Sequence, residues 1–224
     1  MMSRHVLPAD IERTSMRIIT DELEQSGIRI PEEHRAVVQR VIHTTADFDY
    51  AKTLYFTDHA VKRGMSALQN GTPIVTDTNM TRAGISKAAL NRFGGTVSCY
   101  MAEPVIAELA KKEGTTRAVA SMTYAAERHP NAVFAVGNAP TALFRLCELM
   151  ENGLRPSLVI AVPVGFVNVT ESKLELVKIC EQYGVPAISA MGRKGGSTVA
   201  AAVCNALLYS AADMLDPSAR GWQG

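Results

Sequence analysis

Four cysteines, Cys99, Cys147, Cys180 and Cys204, are scattered through 224 residues, and no two form a CxxC pair. Such spacing offers neither a disulfide framework nor a thiolate metal site; it predicts small, buried thiols in a reduced, cytosolic protein. Charge of one sign is also scarce. The 23 basic and 22 acidic residues leave a formal net charge of +1, too little for bulk attraction to nucleic acid or an anionic membrane. No stretch approaches the roughly 18 apolar residues of a transmembrane helix. The opening MMSRHVLPADIERT has no apolar run to serve as a signal peptide, so a cytoplasmic location is expected. The histidines show no HxxxH or HxH spacing, and no metal site is expected from them; His34 and His129, in charged surroundings, read as solvated. No serine sits in a G-x-S-x-G elbow, and there is no internal repeat, low-complexity tract or linker.

What is present is a chain with 47% hydrophobic residues, enough for a substantial core in one domain spanning 1–224. Residues 1–70 read as a mostly helical lead-in. A helix over 9–26 carries Ile11, Ile18, Ile19 and Leu23 on one stripe and stops at Gly27; Pro31 suits the first position of a second. Asp58 can cap a third, running to about Asn70. Over 71–212 the pattern changes. Short β-branched runs at Pro73–Asp77, Thr96–Tyr100, Ala132–Val136, Leu158–Val162 and Pro186–Ala190 alternate with helical patterns at 85–93, 104–129 (broken at Gly114), 139–152, 170–183 and 196–212. Continuous apolar strands separated by helices predict a three-layer α/β/α fold of flavodoxin-like or Rossmann-like kind, with a mainly parallel five-stranded sheet.

In such sheets ligands bind at the carboxyl ends of the strands. The segments expected there are TNMTRAGI (78–85), GNAPT (137–141), PVGFVNV (163–169) and MGRKGGST (191–198). GRKGGST is no Walker A sequence, because no lysine directly precedes Ser197, but it could form an N–H-lined cup for a carboxylate or phosphate. In EGTTRAV, Thr115 suits a helix cap and Arg117 falls in the first turn, against the helix dipole, as if recruited to grip a carboxylate; a solvated arginine is the alternative. Asp77 could bind a ligand or cap the turn after its strand, and Met80 and Met191 could touch a large planar ligand or pack in the core. His43 closes the apolar run Val37, Val38, Val41, Ile42. Histidine suits the negative end of a helix for stability alone, yet it is also an imidazole that titrates near neutrality. Two classes stay open on these residues: an enzyme without its own metal or nucleotide, and a nucleotide- or phosphosugar-binding α/β protein.

Taken together, AVGNAPTALFRLCELMENG (135–153), PVGFVNVTESK (163–173), YGVPAISAMGRKGGSTVAAAVCNAL (183–207), PIVTDTNMTRAGI (73–85) and VIHTTADF (41–48) resemble the precorrin-8X methylmutase (precorrin isomerase) family and its cobalt-precorrin-8 counterpart. The resemblance runs from about Ile11 to Leu208. It implies an isomerase of cobalamin biosynthesis that moves a methyl group from C-11 to C-12 in ring C of a tetrapyrrole, giving hydrogenobyrinate or cobyrinate. No cofactor is implied, and any cobalt would be carried by the substrate; GRKGGSTVAAAVCNALL looks closer to the branch that inserts cobalt early. The resemblance places His43 at the family's proton-transferring histidine and Ser15 and Arg117 at substrate contacts. It sets Met80, Thr81, Gly192, Gly195 and Gly196 around the macrocycle. It further implies a homodimer with its sites near the subunit interface.

Overall fold

A computed structural model describes residues 7–220; His5 lies outside them. Six strands form one sheet in the order β1-β6-β5-β4-β2-β3: β1 (Leu54–Phe56), β2 (Ile74–Thr76), β3 (Val97–Ser98), β4 (Val133–Val136), β5 (Leu158–Ala161) and β6 (Ala187–Ala190). Five of them run parallel, and β1 pairs antiparallel to β6 with Leu54 opposite Ala190. The five parallel strands are those expected, β3 shortened to two residues. The sixth is a correction: Leu54–Phe56 extends the sheet from within the stretch read as helical. Three residues at a sheet edge, only partly buried, carry too little alternation to be seen.

Successive strand residues point to opposite faces, and the two faces build two cores. Ile74, Val133, Ala135, Leu158, Ile160 and Ile188 face α2 (Glu32–Thr45), α4 (Ala60–Gln69) and α11 (Ser197–Ala211). Val75, Phe134, Val136, Val159, Ala161 and Ala187 face α8 (Arg117–Arg128), α9 (Pro140–Glu151) and α10 (Val169–Tyr183). The first helix, α1 (Pro8–Gln25), packs along α2. Short helices α3 (Tyr50–Thr53), α5 (Asn79–Gly84), α6 (Lys87–Asn91) and α7 (Pro104–Lys112) fill the connections. All four cysteines are buried and unbridged. Among the described residues, no helix is long and apolar enough to cross a membrane.

Several local readings shift. The TNMTRAGI segment forms the short helix α5, capped by Thr78, whose hydroxyl accepts from the Thr81 amide at 3.1 Å. The same device caps α8 from Thr116, not Thr115: its hydroxyl accepts from the Val119 amide at 3.2 Å. Pro31 stands just before α2 instead of inside it, and α4 starts after His59, in the left-handed region at φ 54°, without a cap from Asp58. His34 and His129 are not simply solvated. His34 stacks on Phe56 with ring centroids 3.9 Å apart, and His129 shares a 2.8 Å hydrogen bond with the Tyr100 hydroxyl.

Candidate active site

The stripe on α1 divides between two jobs. Ile19 and Leu23 enter the core, whereas Ile11 and Ile18 are 57% and 47% exposed. With Ser15 and Glu22 they follow helical spacing along one face and form a wall of a cleft of about 530 Å³. The opposite wall is Ile42, His43, Ala46 and Phe48. His43 occupies the last turn of α2, which Ala46 ends in a left-handed conformation at φ 54°. Ser15 Oγ lies 2.8 Å from His43 Nδ1, and among the described residues the other ring nitrogen has no hydrogen-bond partner. Burial lowers the His43 pKa, Arg40 and Arg220 lower it further, and Glu12 opposes them. The result is a half-buried imidazole, clamped on one nitrogen and open on the other, in an apolar cleft.

The cleft adjoins the carboxyl edge of the sheet. Lys194, in the glycine-rich loop after β6, donates to Asp47 at 2.6 Å and to Asp49 at 2.7 Å, tying that loop to the segment that follows His43. From beneath, the buried Lys173 ammonium donates at 2.8 Å to the carbonyls of both Gly192 and Lys194. With two carbonyls and no carboxylate around it, its pKa falls to about 8 through desolvation. Gly195 sits where a Cβ would lie 2.2 Å from the Val162 carbonyl, so only glycine lets this loop press onto the end of β5. Thr78, after β2, shares a 2.8 Å hydrogen bond with Ser197 at the start of α11.

Strands β2 and β4 are neighbours whose onward connections leave in opposite directions, the crevice where doubly wound sheets take nucleotides. Here Asp77 fills it. Its carboxylate accepts from the amides of Gly137, Asn138 and Ala139 at 2.8, 2.8 and 2.9 Å, while burial pushes its pKa up. The amides that a phosphate would need are taken, by an acid. Asp77 is a brace for GNAPT. Nearby, α8 runs straight into β4, which puts its first residue, Arg117, at the carboxyl edge; the capping Thr116 lies 3.4 Å from Thr141 of GNAPT. The Arg117 side chain is exposed and has no partner among the described residues. Met80, Phe166 and Val167 present 66%, 82% and 77% of their surface on the same edge, with the Arg193 guanidinium 5.5 Å above the Phe166 ring.

Comparison with known proteins decides what this edge belongs to. The family model described as precorrin-8X methylmutase matches residues 10–210. The chain belongs to the precorrin-8X methylmutase family. It is 44% identical over 206 residues to the cobalt-precorrin-8 methylmutase of Salmonella typhimurium, covering 90% of this chain and 95% of that one. To the precorrin-8X methylmutase of a Sinorhizobium species it is 36% identical, covering 88% and 92%. A solved methylmutase from Thermus thermophilus superposes with a TM-score of 0.81 at 40% identity, covering 91% of this chain and 98% of that one.

The structure brings some of the candidate residues together and separates others. Ser15 and His43 are in contact. Gly192, Gly195 and Gly196 form the loop that Lys194 joins to the His43 segment, and each is partly exposed. Met80 faces outward, and Arg117 reaches the same edge from the β4 side. Thr81 does not face the edge at all: it is fully buried, its hydroxyl engaged by Thr78 at 3.0 Å and the Ser197 carbonyl at 3.3 Å. It holds the loop from inside. Sequence reasoning missed Lys173, Glu12, Arg40 and Arg220. A signal existed for the first: Lys173 shares the buried face of α10 with Val169, Leu176 and Cys180, where a lysine has no reason to be unless something binds it.

Proposed function

We propose that this protein catalyses the methylmutase reaction of its family. A methyl group moves from C-11 to C-12 within ring C of precorrin-8X or cobalt-precorrin-8, giving hydrogenobyrinate or cobyrinate. The observation that carries this reading is the match over residues 10–210 to one family, together with a His43–Ser15 pair aimed into an apolar cleft. Ser15 fixes the ring through Nδ1, and the opposite nitrogen exchanges the proton with the macrocycle while the methyl migrates. A lowered pKa makes the imidazolium a stronger acid, suited to giving that proton up. The migrating carbon needs no nucleophile, so orientation supplies much of the remaining rate. Met80 and Phe166 offer apolar area to a wide planar ring, and Arg117 offers a planar fork to one of its carboxylates. Cobalt, where the substrate holds it, arrives inside the macrocycle and no resident cofactor is used. Identities of 44% and 41% to two cobalt-precorrin-8 relatives, against 36% and 37% to two curated precorrin-8X relatives and 40% to the solved precorrin-8X methylmutase of Thermus thermophilus, agree with the cobalt-bearing substrate without separating the two branches. The enzyme works as a cytoplasmic homodimer.

Titration with the methyl-migrated product tests the reading: its visible absorption should shift on binding, whereas ATP and NAD should leave no comparable signature. Tight nucleotide binding without corrinoid binding would overturn it in favour of a nucleotide-binding protein. Turnover of cobalt-containing against cobalt-free substrate separates the two branches.

A further inference from the structure

Three charged side chains buried beside the cleft take no part in the chemistry proposed above. Glu12 lies one turn before Ser15 on α1, and Arg40 one turn before His43 on α2. Arg40 Nη2 donates to Glu12 Oε1 at 2.7 Å. Arg220, from the single turn Pro217–Arg220, donates to the same oxygen at 2.6 Å. Both guanidiniums lie over the Tyr209 ring, at 5.2 and 4.6 Å from its centre. The side chains of Glu12, Arg40 and Arg220 are 9%, 10% and 6% exposed, and among the described residues the Nε atoms of both arginines are buried without a partner.

Stability does not account for this arrangement. One carboxylate serves two cations, two N–H groups find no partner among the described residues, and apolar residues of similar volume would often do as well. Location accounts for it better. The ion pair Glu12–Arg40 and the hydrogen bond Ser15–His43 brace the same seam between α1 and α2. Asp216 adds a two-point grip on Arg13, at 3.2 and 2.8 Å, so the far end of the chain is fastened to the helix that carries Ser15. Arg220 and Asp216 both lie beyond the 10–210 span matched to the family.

We propose that Glu12, Arg40 and Arg220 form a positioning group for His43, locking α1 onto α2 so that Ser15 stays at Nδ1 and the opposite ring nitrogen stays turned to the cleft. The inference rests on the methylmutase reading and extends it to residues that do not line the cleft themselves. The group also acts through charge: Arg40 and Arg220 disfavour the imidazolium, and Glu12 favours it. Two other acids are near. Glu22 lines the cleft from α1, and Asp47 follows α2 but is paired with Lys194.

The test follows the His43 imidazole by NMR titration, beside melting temperature and single-turnover rate. Glu12→Gln removes an attractive charge and should move the titration to lower pH. Arg220→Met removes a repulsive charge and should move it to higher pH, and Arg220→Lys should return it towards the parent. In the first two, kcat should fall on the order of ten- to a hundredfold with KM little changed, because a displaced ring harms the chemical step more than binding. Opposite shifts report the charges, which a merely structural cluster would also exert; the fall in kcat at little-changed KM in folded variants is what a merely structural role would not produce. Shifts in the same direction, or none, or an unchanged kcat, would overturn the proposal. If one variant does not fold, the direction and the kcat in the other, with Arg220→Lys as reference, still decide. If neither folds while Arg220→Lys matches the parent throughout, the cluster is structural and the proposal is wrong. Because the titration needs no substrate, a parent protein without methylmutase activity would refute the functional reading by a separate result.

Discussion

Replacing His43 by asparagine sets a proton carrier against a helix-end histidine, and the structure gives each a different size. The imidazole is half-buried beside an open cleft of about 530 Å³, so trimming it seals no void into the core. Asparagine can still meet Ser15; losing that 2.8 Å bond altogether, as in His43→Ala, costs about 1 kcal/mol. For a chain of this length that lowers the melting temperature by about 2–4 °C. Chemistry should suffer far more. An amide cannot deliver a proton at neutral pH, and turnover should fall by roughly two to four orders of magnitude, a barrier increase of about 3–5 kcal/mol. Melting temperature, product affinity from visible absorption and single-turnover conversion are measured on the same samples. The expected result is a folded protein that binds product and barely converts substrate. A folded, binding-competent His43→Asn or His43→Ala enzyme with the parent rate would remove His43 from the mechanism. A large loss of stability with full residual activity would make it a structural residue.

The pH profile supplies a second check. Burial and Arg40 hold the His43 pKa below 6.5 in the free protein, so kcat/KM should decline as pH rises on the acid side of neutrality; a flat profile there would contradict proton donation. Arg117→Ala should weaken product binding by about 1.5–3 kcal/mol without altering stability, and Arg117→Lys should restore only part; equal affinities would make Arg117 a plain surface residue. Lys173 titrates near pH 8 when folded against 10.5 unfolded, so it is the unfolded chain that holds the extra proton between them. Parent stability relative to Lys173→Met should therefore rise between pH 8 and 10.5, by up to about 3 kcal/mol, and should be lost again as pH falls through 8; parallel pH curves would refute the buried-ammonium assignment. Gly195→Ala brings a Cβ to 2.2 Å from the Val162 carbonyl and must shift the loop, so turnover should fall about a hundredfold while the sheet still folds; an unaffected enzyme would free that loop from the site.

Periodicity made the parallel strands and long helices legible because buried strands and amphipathic helices leave apolar runs of different period. It failed where a few residues decide the structure. Leu54–Phe56 is too short to show a period, and α5 depends on one threonine hydroxyl at Thr78. The candidate site was proposed from His43 and the glycine-rich loop, where residue type alone suggests chemistry, and the structure joins their segments through Lys194. Ile11 and Ile18 misled in a useful way: their spacing matched a core stripe, but the α1–α2 crossing leaves them on the cleft wall. Glu12 and Arg40 could not be paired from sequence, since partners 28 residues apart meet only once the two helices pack. Arg220 lies further still from Glu12 along the chain, and only the fold reveals their contact.

The motifs that carry the family resemblance serve mainly to hold one another. Asp77 after β2 ties down the loop after β4; Thr78 joins the same strand end to Ser197 after β6. Lys173 of α10 holds the carbonyls of Gly192 and Lys194, and the Gly196 amide donates to Val162 at 2.8 Å. Lys194 completes the series by reaching Asp47 and Asp49 on the approach to β1. Each tie links a loop at this edge to a different segment of the chain, so displacing one loop strains its neighbours. A methyl migration without nucleophile or metal ligand gains much of its rate from orientation, which a stiff edge can provide and a set of independent loops cannot. That is why Thr81 and Asp77 can belong to family motifs while lying buried: their hydrogen bonds hold the shape of the edge beside the proposed His43–Ser15 pair.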